Sequence, residues 1–196
     1  MVPIAQGVLV AVTDAMDFLL TRRSRPAKLL TGPGPDRATL ERILQAGGRV
    51  PDHGKLEPWR FIVLEGAALA RIATVIRARG AETGEDGDKA ASAFEGAPVA
   101  IVVVGVPKTS DKIPAIEQTL SAGCAAYNVL SAALASGWGA NWLTGWISRD
   151  RVLLEGTFGL TPGEWIAAFV HVGSCGTSVP ERPRPDMAKI TTWVGE

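Results

Sequence analysis

The stretch "PVAIVVVGVP", Pro98–Pro107, carries no charged or polar side chain between its two prolines. A strand with one face in water alternates apolar and polar residues, whereas an unbroken β-branched run marks a strand covered on both faces. The run is far short of the roughly 20 residues that span a bilayer. It therefore predicts the middle of a sheet wrapped by helices. Outward from it, "WRFIVLEG" (59–66) reads as another strand, "WIAAFVHVG" (165–173) as the last interior strand and "ANWLTG" (140–145) as a short extended piece.

Helical spacing fills the intervals. Residues 8–23 place Val12, Ala15, Phe18 and Leu19 on one face. In "PDRATLERILQAGG" (35–48), Asp36 is the N-cap, Leu40, Ile43 and Leu44 form the apolar stripe, and Gly47-Gly48 ends the helix. "ALARIATVIRARG" (68–80) reads as a helix closed by Gly80, and the acidic, Gly-rich "GAETGEDGDK" (80–89) as a surface loop. A short helix follows around Lys89–Phe94, and another lies near Asp150–Gly156. The longest runs from Ala115 to Ala135, where "LSAGCAAYNVLSAALAS" offers small side chains for close approach of a helix or a cofactor. Helices and strands interleave without strict βαβ alternation, so the class is α+β with a central sheet wrapped by helices.

Composition suits one domain over 1–196, since 46% of the 196 residues are hydrophobic and can fill a core. Residues 174–196 form a C-terminal arm. It contains the proline-rich "TSVPERPRPDMAKITTWV", which ends in strand-like "ITTWV" with no local partner and so predicts pairing with a second subunit. Twenty acidic against twenty basic residues leave no global field for nucleic acid or an anionic membrane. The apolar start "MVPIAQGVLVAV" lacks a basic leader and soon meets Asp14, which argues against a signal peptide. Cys124 and Cys175 stand far apart, as reduced cytoplasmic thiols do. There is no GxxxxGK[ST], no GxGxxG after a strand and no GxSxG. His53, His171 and the cysteines lack ligand spacing, so no metal site is expected. His171, inside a strand, is expected to be a satisfied core histidine.

Two basic elements and one loop remain. "TRRSRPAK" (21–28) offers fork donors and a hydroxyl suited to a phosphate monoester, or simply cations at the negative end of the first helix. "ERPRP" holds Arg182 and Arg184 in a stiff proline frame, fit for a fixed guanidinium or a solvated linker. "RVPDHGKLEPW" (49–59) crowds ionisable residues between two prolines, with Asp52 and Glu57 available to pair with Arg49 or Arg60.

"RRS" at the end of the first helix, "PDH…PW", "SAGCA" and the late "NWLTG" occur in an order and spacing that resemble the nitroreductase family, in its short YdjA-like branch of NAD(P)H nitroreductases. The resemblance covers roughly residues 14–194. It implies an intertwined homodimer that binds FMN, takes electrons from NADH or NADPH and passes them to a nitroaromatic, quinone or similar acceptor by a ping-pong route. Flavin N5 would carry the chemistry, with no protein residue as catalytic acid or base. By position, the resemblance sets Arg22, Arg23 and Ser24 on the FMN phosphate, and Arg49, His53 and Lys55 against the flavin. Trp142, Leu143, Thr144 and Gly145 would pass the N5 edge, and Arg184 would be the tail arginine reaching the phosphate. Residues Ala132, Ala133, Leu134, Ala135, Ser136 and Gly137 correspond to a segment meeting the nicotinamide nucleotide. The chain departs from larger members at Lys55, Glu57 and Pro26, and from the short branch at Leu143. A flavin-binding or flavin-storing protein without NAD(P)H turnover, and an anion-binding regulatory module, are the alternative readings.

Overall fold

The computed structural model describes residues 15–195. Its sheet has four antiparallel strands in the order β1-β2-β4-β3. These are β1 (Trp59–Glu65), β2 (Val99–Gly105), β3 (Gly139–Leu143) and β4 (Trp165–Gly173). Every residue of β2 is buried. Alternation sends Val99, Ile101 and Val103 into one apolar layer and Ala100, Val102 and Val104 into the other. The first layer is closed by α2 (Arg37–Gly47) and α5 (Ala115–Ala135), the second by α3 (Ala67–Thr83), α4 (Gly87–Gly96) and α6 (Arg151–Gly156). The sheet is thus covered on both faces although no pair in it is parallel. Among the described residues no helix is long and apolar enough to cross a membrane.

The layer holding α5 is built largely from small residues. Ala122, Ala125, Ala126 and Ala133 are buried on α5, and α2 comes so close that a Cβ on Gly47 would stand 2.5 Å from Val129 Cγ2. Asp36 caps α2 as the sequence predicts, its carboxylate accepting from the Thr39 N–H at 2.8 Å. The sequence boundaries of α5 and β4 also hold.

Three expectations are corrected: Gly80 as the end of α3, residues 80–89 as a loop, and His171 as a satisfied core residue. Gly80 does not end α3, which runs on to a left-handed Gly84 (φ 75°). Gly80 is there for close approach: a Cβ on it would lie 2.6 Å from the Gly87 Cα. Residues 80–89 are therefore the last turn of α3 and the Asp86-capped start of α4, not a surface loop. In the predicted helix 8–23, Val12 lies outside the described residues. The described part, α1 (Ala15–Thr21), buries none of its residues, and Leu19 and Leu20 are exposed. The tail forms a single turn, α7 (Met187–Ile190), and residues 191–195 find no partner strand within their own protomer, which leaves Trp193 and Val194 exposed (90% and 92%). Finally, His171 is fully buried but not satisfied. Neither ring nitrogen has a hydrogen-bond partner, and the Phe94 ring stands edge-on at 4.8 Å.

Candidate active site

A cleft of about 530 Å³ opens where the outer face of α5 meets the segment that follows α2. Thr119, Leu120, Gly123, Cys124, Tyr127 and Asn128 recur at helical spacing along one wall. The segment Arg49–Pro51 forms the opposite rim, and Trp142 of β3 closes the end. The lining is mostly apolar, with one cation. No carboxylate lies within ion-pair reach of Arg49 among the described residues.

The rim owes its course to hydrogen bonds from α5. Asn128 Nδ2 donates to the carbonyls of Ala46 (3.2 Å) and Arg49 (3.0 Å). The Ser121 hydroxyl donates to the Pro51 carbonyl at 2.7 Å and accepts from the Trp59 indole at 3.1 Å. Beyond the rim the chain turns sharply through left-handed Gly54, Lys55 (φ 54°) and Glu57 (φ 47°). Asp52 holds that turn, its carboxylate accepting from the Leu56 and Glu57 N–H groups at 3.0 and 2.9 Å. Asp52 therefore serves the turn rather than Arg60. Arg60 instead grips Glu164 through two bonds of 2.8 and 2.9 Å, holding that carboxyl down to about 2. Both His53 and Lys55 lie exposed on the turn and do not line the cleft.

"RRS" leaves α1 and runs along the outer edge of β3, where the Arg25 N–H donates to the Ala140 carbonyl at 2.8 Å. This brings it to Tyr127, whose ring centroid is 6.0 Å from the Arg22 guanidinium carbon. Arg22 Nη2 donates to the Ser24 hydroxyl at 3.0 Å, while Arg22 Nε is buried without a partner. A buried guanidinium N–H left unpaired is costly, and an anion beside it removes the cost. Arg23 bonds the Ser24 and Pro180 carbonyls, tying the arm to this corner. Arg184 is turned away toward Glu181, with which it forms an exposed ion pair.

The structure thus gathers Arg22, Ser24, Arg49 and Trp142 around one helix face. Leu143 is half-buried beyond Trp142, and Thr144 and Gly145 follow it, exposed. Ala132–Gly137 covers the last turn of α5 and the bend after it, and none of these residues lines the cleft. Sequence reasoning missed Tyr127 and Asn128. An asparagine deep inside a helix was the available signal for the second, since such residues disfavour helix interiors unless the side chain is used elsewhere.

A cation fork with a hydroxyl suits a phosphate monoester, and the apolar slot beside it suits a flat ring system. No described lining residue is a carboxylate or an imidazole.

Comparison with known proteins gives concordant results. The family model described as "Nitroreductase family" matches residues 19–174. "Putative NAD(P)H nitroreductase YdjA" of Escherichia coli (strain K12) is 37% identical over 164 residues, covering 82% of this chain and 88% of that protein. "Putative NAD(P)H nitroreductase" of Haemophilus influenzae is 40% identical over 166 residues, with the same coverage of 82% and 88%. Among solved structures, a mutant of the FMN and NADPH-dependent nitroreductase NfnB from sphigopyxis sp. strain HMH superposes with a TM-score of 0.76. It is 19% identical and covers 93% of this chain and 99% of that one, a likeness of fold.

Proposed function

The chain belongs to the nitroreductase family, and from that premise we propose that it is an FMN-dependent oxidoreductase. In this reading NADH or NADPH and then a nitroaromatic, quinone or similar acceptor use one cleft in turn, a ping-pong sequence. The observation that carries the cofactor assignment is the buried, unpartnered Arg22 Nε beside Ser24, at the corner of an apolar slot. The residues present fit FMN. Arg22 and Ser24 would hold its phosphate with Arg23 alongside, Arg49 and Trp142 would border its ring system, and Leu143, Thr144 and Gly145 would follow its edge. FMN, when bound, supplies the redox chemistry.

The chain's own contribution is position and charge. Arg49, free of any carboxylate partner, is available to stabilise negative charge at the cleft. Leu120, Tyr127 and Trp142 exclude water from a flat guest and give it faces to stack on. His53 and Lys55 extend the positive rim, and Arg184 reaches the phosphate only if it leaves Glu181. Ala132, Ala133, Leu134, Ala135, Ser136 and Gly137 remain the candidate contact for the nicotinamide nucleotide. The apolar surface of α1 and the arm 174–196, with its exposed Met187, Ile190 and Trp193, supports an intertwined homodimer, and the two free cysteines suit a cytoplasmic one. The whole chain would act as one domain.

The test is the visible absorption of the purified protein, followed by anaerobic mixing with NADH and NADPH. Bound FMN that bleaches supports the enzyme. Bound FMN that does not bleach with either reductant supports flavin binding without turnover. A colourless protein that takes up no added FMN ends the cofactor reading.

A further inference from the structure

The rim of the cleft is irregular backbone, yet two buried or half-buried side chains of α5 fix it at both ends. Ser121 and Asn128 are seven residues apart, two helical turns, and so project from one face of α5. Asn128 takes the Arg49 carbonyl and Ser121 the Pro51 carbonyl, so the rim lies antiparallel along the helix. Each contact is reinforced. The second Asn128 hydrogen goes to the Ala46 carbonyl in the last turn of α2, which also accepts from the Arg49 N–H at 3.0 Å. The Ser121 oxygen is itself held by the Trp59 indole, which stacks on Phe61 with centroids 5.7 Å apart. β1, α5 and the end of α2 therefore converge on three residues of rim. Only main-chain groups of the rim are engaged, which leaves the Arg49 guanidinium unspent.

We propose that Ser121 and Asn128 are positioning residues, a two-point clamp that sets where Arg49 stands in the cofactor cleft. The inference rests on the cleft being the FMN site. Neither residue needs to touch the cofactor for this role. Their value is to remove rim freedom before binding, so that its ordering is not charged against cofactor affinity.

The experiment compares wild type with Ser121→Ala, Asn128→Asp and the hydroxyl-retaining Ser121→Thr. Asn128→Asp keeps the shape but presents an acceptor to two carbonyls. FMN affinity is read by quenching of flavin fluorescence, the bound flavin's environment by visible circular dichroism, and the rim by hydrogen exchange of the Arg49 amide in apo-protein. Loss of the single rim bond in Ser121→Ala predicts FMN weakened about five- to tenfold, and loss of both Asn128 bonds in Asn128→Asp at least as much. Faster Arg49 exchange and an altered flavin dichroism should accompany it, with Ser121→Thr close to wild type. Wild-type affinity and exchange in the first two variants overturn the clamp, as does Ser121→Thr behaving like Ser121→Ala. Should Asn128→Asp not fold, the serine pair alone decides. If wild type binds no FMN, the cofactor reading fails, while exchange in apo-protein still confirms or refutes the clamp.

Discussion

His171→Leu should abolish a specific part of the protein's acid sensitivity. The imidazole is fully buried, makes no hydrogen bond and faces the edge of Phe94. Burial outweighs the pull of the Phe169 backbone and lowers its pKa from 6.5 to about 4. The folded state therefore keeps the ring neutral in a range where the unfolded chain binds a proton. Stability from this group is fully present above pH 6.5 and is lost as pH falls toward 4. The fall from 6.5 to about 4 corresponds to about 3 kcal/mol in all, of which about 2 kcal/mol is gone by pH 5. Leucine fills a similar volume and does not titrate. Urea unfolding of apo-protein at one fixed concentration, at pH 7, 6, 5 and 4.5, measures the effect. Wild type should lose stability steadily across that series while the variant stays nearly level. Equal slopes for the two proteins would refute the reasoning.

Below that window a second group takes over. Glu164, held to about 2 by Arg60, contributes stability above its ordinary 4.5 that disappears as pH falls toward 2, so Glu164→Gln should flatten acid unfolding there and leave the His171 window intact. Arg22→Ala and Ser24→Ala should each weaken FMN by about ten- to a hundredfold, as loss of a bond to a charged group does, with the apo fold retained; unchanged affinity in both would reduce "RRS" to a helix end. Gly47→Ala forces a methyl into Val129 and should destabilise by about 1–3 kcal/mol in thermal or urea unfolding. Sedimentation should find a homodimer, and a stable FMN-loaded monomer of 20.6 kDa would count against the role given to the arm.

What the sequence revealed follows the reach of each signal. The run Val99–Val104 declared burial on both faces because side-chain chemistry alone decides it. The strand order did not appear, since pairing β2 with β1 and β4 joins segments far apart in the chain. Gly80 was misread because a glycine that stops a helix and one that admits a neighbouring backbone look alike in one dimension. His171 was expected to be satisfied, and only the packing around it exposes two idle nitrogens. Of the residues grouped around the candidate cleft, Arg22, Ser24, Arg49 and Trp142 had been singled out by their motifs. Tyr127 and Asn128 were not, because a helix face becomes a wall only when a rim is laid against it.

α5 carries two vocabularies on one rod. Its positions 122, 125, 126, 129 and 133 face the sheet, while 119, 120, 123, 124 and 127 face the cleft. Helical periodicity keeps the sets from overlapping, so substitutions that reshape acceptor preference need not disturb the core. A library randomised at 119, 120, 124 and 127 should therefore remain largely foldable while its members diverge in the guests they accept. The same rod sets a boundary to that freedom, since 121 and 128 lie between the two sets and hold the opposite bank.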